Sequence, residues 1–153
     1  MGMYAAFQTD RSLEQEGIWI DYHELGFRVL LARAGGSNER FNRCLRRLTK
    51  PHRRAIQAGG QMPSDAVIEL QKRIYKEAFA ETAVLGWQVK VPSDDPDAEP
   101  SYTSGIEGPD GSTLPFSKEN VLKTFEALPD LFADLSDQAS SFGQFQREEE
   151  QGN

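Results

Sequence analysis

Hydrophobic side chains follow two different periods along this chain, and the first is the period of a β-strand. Between residues 18 and 31 they recur at every second position, in two runs that each place three on one face: Ile18, Ile20 and Tyr22, then Phe27, Val29 and Leu31. The four residues between the runs end in Gly26, which is typical of a hairpin connection. The pattern therefore predicts an N-terminal β-hairpin, which needs a second layer to lie on.

Downstream of Ser37 the period becomes that of a helix. Phe41, Leu45 and Leu48 recur at positions i, i+4 and i+7, and Cys44 lies beside this stripe. Proline lacks an amide hydrogen, so Pro51 is expected to end or kink the helix. Helical character resumes beyond it and stops at the glycine pair 59–60.

The residues that typically begin helices predict three further ones. Ser64 is a suitable N-cap for the longest one, predicted to run to Leu85 with Gly86 and Trp87 beyond its end. Ser117 caps another, and Pro129 begins the last. A turn at residues 108–111, flanked by short runs at 102–106 and 113–116, predicts a small second hairpin.

These elements predict an α+β fold that is predominantly helical, with the N-terminal β-hairpin followed by four or five amphipathic helices. We expect one domain over residues 16–146, preceded by a mobile leader at 1–15. A Pro- and Asp-rich stretch at 92–100 has nothing to bury and is predicted to be a mobile loop. Residues 147–153 are predicted to be an acidic tail.

The large apolar side chains that we expect to lie mainly in the core are Trp19, Phe27, Phe41, Leu45, Leu48 and Trp87.

The net charge of −7 is unevenly distributed along the sequence. Residues 1–26 carry −4, residues 27–76 carry +9, and residues 77–153 carry −12. The positive charge is concentrated in residues 40–54, which contain seven arginine or lysine side chains and no acidic one. Buried unpaired charge is prohibitive, so part of this set must be exposed or paired with the acidic C-terminal half.

The best-defined candidate site in the sequence is therefore the basic segment at residues 40–54. The side chains proposed to contact a partner are Arg43, Arg46, Arg47, Lys50, Arg53 and Arg54. Three interpretations remain open: neutralisation within the fold, binding of another protein, or contact with nucleic-acid phosphates. Protein binding or internal pairing agrees better with a pI near 4.9 than nucleic-acid binding does.

Signatures of catalysis are missing from the sequence. It has no phosphate-binding loop, no G-x-S-x-G motif and no H-E-x-x-H motif. The single cysteine, Cys44, is best interpreted as a small buried side chain, and the histidines His23 and His52 have no clustered carboxylates beside them. We expect a non-enzymatic protein without catalytic residues, cofactor or metal. No segment has the length and apolarity of a membrane span, and a reducing cytoplasm is the default compartment.

From Glu16 to Phe145 the order of these features resembles one known family, the tail assembly chaperones of long-tailed bacteriophages. The pieces that carry the resemblance are Gly17-Ile18-Trp19-Ile20-Asp21-Tyr22, Phe27-Arg28-Val29, Ala32-Arg33-Ala34-Gly35, Phe41, Leu45, Leu48, Lys50-Pro51, Arg53-Arg54, Leu85-Gly86-Trp87, Asp110-Gly111, Leu114-Pro115-Phe116-Ser117 and Asn120. Their joint order carries the resemblance, since no single piece is diagnostic.

The resemblance implies a non-enzymatic role in virion assembly. Such chaperones bind the tape measure protein and tail tube subunits and keep them soluble until the tube polymerises. It also implies action in the host cytoplasm, absence from the mature virion and possible self-association, with no membrane partner. The alternative from the residues alone is a small nucleic-acid-binding or regulatory protein that uses the basic helix 40–54.

Overall fold

Helices and strands alternate irregularly in the computed structural model, which describes residues 2–147. Over this range the chain forms seven α-helices and six β-strands. In chain order they are α1 (Met3–Phe7), α2 (Arg11–Glu16), β1 (Ile18–Tyr22), β2 (Phe27–Leu31), α3 (Glu39–Thr49), α4 (Arg53–Ala58), α5 (Asp65–Thr82), β3 (Val84–Lys90), β4 (Tyr102–Ser104), β5 (Ile106–Glu107), β6 (Thr113–Leu114), α6 (Lys118–Ala127) and α7 (Pro129–Ser140). Single 3₁₀ turns cover Lys50–His52 and Phe142–Phe145. The predicted α+β class is confirmed.

The predicted N-terminal hairpin is confirmed in position and in register. Strands β1 and β2 pair antiparallel with Ile20 opposite Val29, and the connection spans the four residues predicted for it. The hairpin forms one side of a four-stranded antiparallel sheet in the order β1-β2-β3-β4. Its inner face, which includes Ile20, Val29 and Leu31, packs into the core.

The longest helix is shorter than predicted, and a strand replaces its last turn. Helix α5 begins after its Ser64 cap, as expected, but ends at Thr82 rather than Leu85. Residues 84–90 instead form β3, which places Trp87 opposite Val29 and buries it. The residue types allow both outcomes, because Val84, Trp87 and Val89 favour strands and pairing with β2 satisfies their backbone groups.

The small second hairpin is shorter than predicted, and part of its first predicted strand pairs elsewhere. Strands β5 and β6 pair antiparallel around the turn at 108–111, but they hold only two residues each. Residues 102–104 form β4, which adds to the edge of the main sheet beside β3. Residues 92–100 are exposed and form neither helix nor strand, and their mobility stays a prediction.

An aromatic cluster lies between the sheet and the helices. Phe79 of α5 and Phe125 of α6 are fully buried, and their ring centroids are 5.9 Å apart. Phe41 is 3% exposed, while Leu45 and Leu48 are partly buried against the same core. Core positions were predicted for these three, and for Trp87, Phe27 and Trp19.

The prediction for Trp19 is wrong. Its side chain is 40% exposed, because it lies on the outer face of β1, opposite to the face that Ile18 and Ile20 present. Its ring centroid lies 4.4 Å from the Arg28 guanidinium carbon, and the ring centroid of Tyr102 lies 4.2 Å from the same carbon. A period of two places every second residue on the outer face, and tryptophan is no exception.

The N-terminal segment, predicted to be a mobile leader at 1–15, is helical over much of residues 2–15, and its mobility stays a prediction. It forms α1 and α2, and the Asp10 side chain caps α2 by accepting a hydrogen bond from the Ser12 amide. Glu14 is 2% exposed. Asp10 also pairs with Arg147, the first residue of the predicted acidic tail, whose other residues (148–153) lie outside the described ones. The leader is thus attached to the C-terminal end of the described chain.

Candidate functional site

The six predicted site residues lie on one helical segment and are all exposed. Helix α3, the 3₁₀ turn and α4 follow one another without a break from residue 39 to 58. Helix α3 turns Phe41 and Cys44 into the core, with Leu45 and Leu48 partly buried beside them, so its arginines face solvent. We call the resulting set the basic surface; its residues are Arg43, Arg46, Arg47, Lys50, Arg53 and Arg54.

Only one of these cations is neutralised within the described part of the chain. Arg47 donates to Glu81 of α5, with 2.8 Å between Nη2 and Oε2. In residues 2–147 no carboxylate lies within ion-pair distance of the other five. The predicted pairing with the acidic C-terminal half therefore holds for Arg47, and within residues 2–147 for none of the other five.

Glu81 is the centre of a polar cluster at the edge of that surface. Its Oε2 accepts from Arg47 and from the Cys44 thiol at 3.0 Å, and its Oε1 accepts from the Lys118 ammonium at 2.9 Å. The hydrogen bonds from Cys44 and Lys118, with the attraction of Lys118, lower the pKa of Glu81 to about 2. Glu81 is thus ionised at neutral pH and holds Arg47 in place.

Cys44 has the structural role that the sequence indicated. Burial and the neighbouring Glu81 carboxylate raise the pKa of its thiol to about 11. A thiol must lose its proton to act as a nucleophile, and at neutral pH this one keeps it. The arginines nearby do not reverse that effect.

A cavity of about 360 Å³ opens between α3 and the end of α5. Its lining includes Arg40, Arg43 and Arg47 from α3 and Glu81 from α5. Residues 40, 43 and 47 share one side of a helix because they are spaced i, i+3 and i+7. Arg40 was not among the predicted site residues, although this spacing is visible in the sequence.

Exposed apolar side chains follow the basic surface along the chain. Met62 is 90% exposed in the connection between α4 and α5, and Ile68 on the first turns of α5 is also exposed. Along the chain, the cation-rich helical segment is thus followed by two exposed apolar side chains, Met62 and Ile68, which we call the apolar tip. Exposed apolar groups rimmed by charge are a feature of protein-interaction surfaces.

A second concave region lies at the N-terminus, where sequence reasoning predicted no structure. A cavity of about 910 Å³ is bordered by Met3, Tyr4 and Phe7 of α1, which are all exposed, and by Arg11 and Arg33. The ring of Phe7 lies 5.3 Å from that of Phe142. Short apolar stretches such as this one give no period from which a groove can be predicted.

Two other kinds of site were sought in the described residues. Over residues 2–147 no group of three or more His, Cys, Asp or Glu side chains is arranged to hold a metal ion. In the same range no helix is both long and apolar enough to cross a membrane.

Comparison with known proteins places the chain among phage proteins. The model of the family described as YdaY prophage protein matches residues 36–153, which is well over half of the sequence and includes the whole basic surface. The chain belongs to the YdaY prophage protein family. No curated protein and no solved structure matches it. The phage association implied by the sequence resemblance is thereby confirmed, and the match specifies no step of virion assembly.

Proposed function

We propose that this prophage protein is a non-enzymatic tail assembly chaperone. It binds the tape measure protein, tail tube subunits or both, and keeps them soluble in the host cytoplasm until the tube forms. It then leaves and is absent from the mature virion. The observation that carries the proposal is the basic surface, where five cations have no acidic partner within residues 2–147.

The shape of this region suits the binding of an unassembled helical protein. A long helical chain with apolar seams aggregates until those seams are covered. The apolar tip at Met62 and Ile68 offers a surface for such a seam, and the adjoining cations offer partners for its flanking carboxylates. A contact with this share of polar groups is reversible, which a chaperone needs when it releases its client. Self-association through the same tip would compete with client binding.

The same five cations give the alternative function a physical basis. A small nucleic-acid-binding or regulatory protein would use the helix at 40–54 to contact phosphates. The net charge of −7 opposes long-range attraction to a polyanion. We therefore favour a protein partner and use salt dependence to separate the two, because affinity for DNA falls steeply with salt when several phosphates are contacted.

Co-expression with the tape measure protein of the same prophage tests the proposal. The soluble fraction of that protein is compared with and without this chain, and with the triple variant Arg43→Glu, Arg46→Glu, Arg54→Glu. Arg47 is left intact because its reversal would break the bond to Glu81. The matched control reverses three exposed lysines elsewhere: Lys72, Lys90 and Lys123.

We expect the parent and the lysine control to keep the tape measure protein soluble, and the arginine variant to lose most of that effect while melting normally. Equal solubility with all three chains would show that the basic surface binds no client. Equal insolubility with and without the parent would reject the chaperone proposal. Tight, salt-sensitive binding of DNA by the purified parent, lost in the arginine variant, would favour the alternative.

A further inference from the structure

The cavity between α3 and α5 differs from the rest of the basic surface in being concave and partly pre-organised. Arg47 is fixed on one side by Glu81, which is fixed in turn by Lys118 and Cys44. Lys118 is itself held by Glu77, with 3.1 Å between Nζ and Oε1. Five side chains of the cluster thus hold one another in place before any ligand arrives.

Two guanidinium groups in this cavity have N–H donors that make no short hydrogen bond within residues 2–147. Arg43 has no ion-pair partner among residues 2–147, and Arg40 makes one long hydrogen bond there, at 3.4 Å to the Gln15 carbonyl. Guanidinium groups bind carboxylates through paired N–H donors, with geometry that a lysine cannot reproduce. Glu81 does not neutralise either group, because its ion pairs in the structure are with Arg47 and Lys118.

We propose that this cavity binds carboxylate side chains of an acidic segment in the client protein. Arg40 and Arg43 make the contacts, and Arg47 borders them in a position set by Glu81. The proposal deepens the proposed function and rests on it for the identity of the partner. It adds a site within the basic surface and the chemistry that the site recognises.

Charge and size favour a short acidic peptide segment over nucleic acid. The Glu81 carboxylate on the cavity wall and the overall charge of −7 both repel an extended polyanion. A segment with a few carboxylates meets the arginine stripe at short range, where these repulsions are offset by direct hydrogen bonds. The volume of about 360 Å³ is near the lower end of ligand cavities and fits short side chains.

Fluorescence anisotropy with defined probes tests the site. The probes are a labelled peptide of alternating Glu and Ala, the matching Gln and Ala peptide, and a single-stranded DNA oligonucleotide of the same negative charge. The variants are Arg40→Gln and Arg43→Gln in the cavity, with Arg46→Gln and Arg54→Gln as controls that remove the same charge outside it. Low ionic strength, about 20 mM, keeps exposed charges from being screened.

We expect the Glu peptide to bind and each cavity variant to weaken it about tenfold, the usual scale for one charge-assisted hydrogen-bonded contact. The control variants should weaken binding clearly less than the cavity variants, because each removes only the long-range attraction of an exposed charge and no hydrogen bond. An equal loss in all four variants would overturn the site, since binding would then follow net charge. Equal binding of the Gln peptide, or tighter binding of the DNA, would overturn the carboxylate assignment.

The two proposals can fail separately. If the Glu peptide binds in the cavity but co-expression leaves the tape measure protein insoluble, the carboxylate site stands and the chaperone role is rejected. If co-expression works and Arg40→Gln with Arg43→Gln changes neither the peptide affinity nor the solubility, the chaperone uses another part of the basic surface and the cavity assignment is wrong.

Discussion

Two groups of arginines in this protein have opposite surroundings. Arg33, which follows the hairpin, pairs with Glu14 of α2, and that carboxylate is almost completely buried. Thr9 and Ser37 donate to the other oxygen of Glu14, so the whole group is satisfied. Ten residues further along the chain, the basic surface begins with Arg43, which is exposed and has no such carboxylate within residues 2–147.

The difference indicates that position relative to the core, and not charge, separates a folding role from the binding role that we propose. Burial alone would raise the pKa of Glu14, but the hydrogen bonds from Arg33, Ser37 and Thr9 prevail and lower it. That carboxylate is therefore committed to holding α2 against the hairpin. Within residues 2–147 the cations of the basic surface, apart from Arg47, form no comparable pair and are exposed.

Removing Arg33, the partner of the buried Glu14 carboxylate, should have the largest effect. Arg33→Met leaves the Glu14 carboxylate buried and unpaired, which costs about 3–5 kcal/mol of unfolding free energy in comparable cases. Urea denaturation measures the loss. The matched control, Arg43→Met, should leave the midpoint almost unchanged, and an equal loss in both variants would remove the distinction between the two groups.

Truncation of the apolar side of α3 should cost nearly as much. Phe41→Ala removes a ring that is 3% exposed, and such changes cost about 3–5 kcal/mol. Trp19→Ala removes a larger ring that is 40% exposed, so we expect a clearly smaller loss. Thermal unfolding of the two variants would contradict this assignment of faces if Trp19→Ala were the more damaging.

Acid should weaken the Glu81 cluster by a smaller amount. The pKa of Glu81 is about 2 in the folded protein, below its ordinary value of 4.5. A lowered folded pKa means that the stabilisation is present above about 4.5 and is lost as the pH falls towards 2. Glu14 titrates in the same direction, so Glu81→Gln is needed as the reference.

We expect the stability of the Glu81→Gln variant to fall less steeply than that of the parent between pH 4.5 and 2. Both curves come from urea denaturation at a series of pH values. Parallel curves would mean that the hydrogen bonds from Arg47, Lys118 and Cys44 contribute nothing to folding.

Deletion of residues 94–99 should have the smallest effect. These residues are exposed and belong to no helix or strand, so few apolar contacts are lost. The thermal transition should stay close to that of the parent. A large drop in the melting temperature would show that this loop supports the adjoining strands β3 and β4.

The contrast between Arg33 and the basic surface also shows which features of the fold could be predicted from the sequence. The basic surface was predictable, because a helical period of apolar residues leaves its six cations on the remaining positions. The ion pair between Glu14 and Arg33 was not, because Glu14 lies in a polar segment with no period and meets Arg33 only through the fold. Strand β3 escaped prediction for a similar reason, since its pairing with β2 joins residues nearly sixty positions apart.

The same reasoning explains the candidate site. Arg43, Arg46, Lys50, Arg53 and Arg54 follow from local periodicity alone, and the structure leaves them exposed. The role of Glu81 in fixing Arg47 depends on how α3 packs against α5, which no local pattern encodes. Trp19 is the converse case, because a bulky apolar residue was assigned to the core although the strand period places it outside.

The most direct measurement is the aggregation of a purified tape measure protein diluted from denaturant, followed by light scattering with and without this chain. We predict that an equimolar amount of the parent lowers the scattering strongly, and that the variant with Arg43, Arg46 and Arg54 changed to Glu does so far less while remaining folded. Scattering as high with the parent as with an unrelated acidic protein of similar size would contradict the chaperone account.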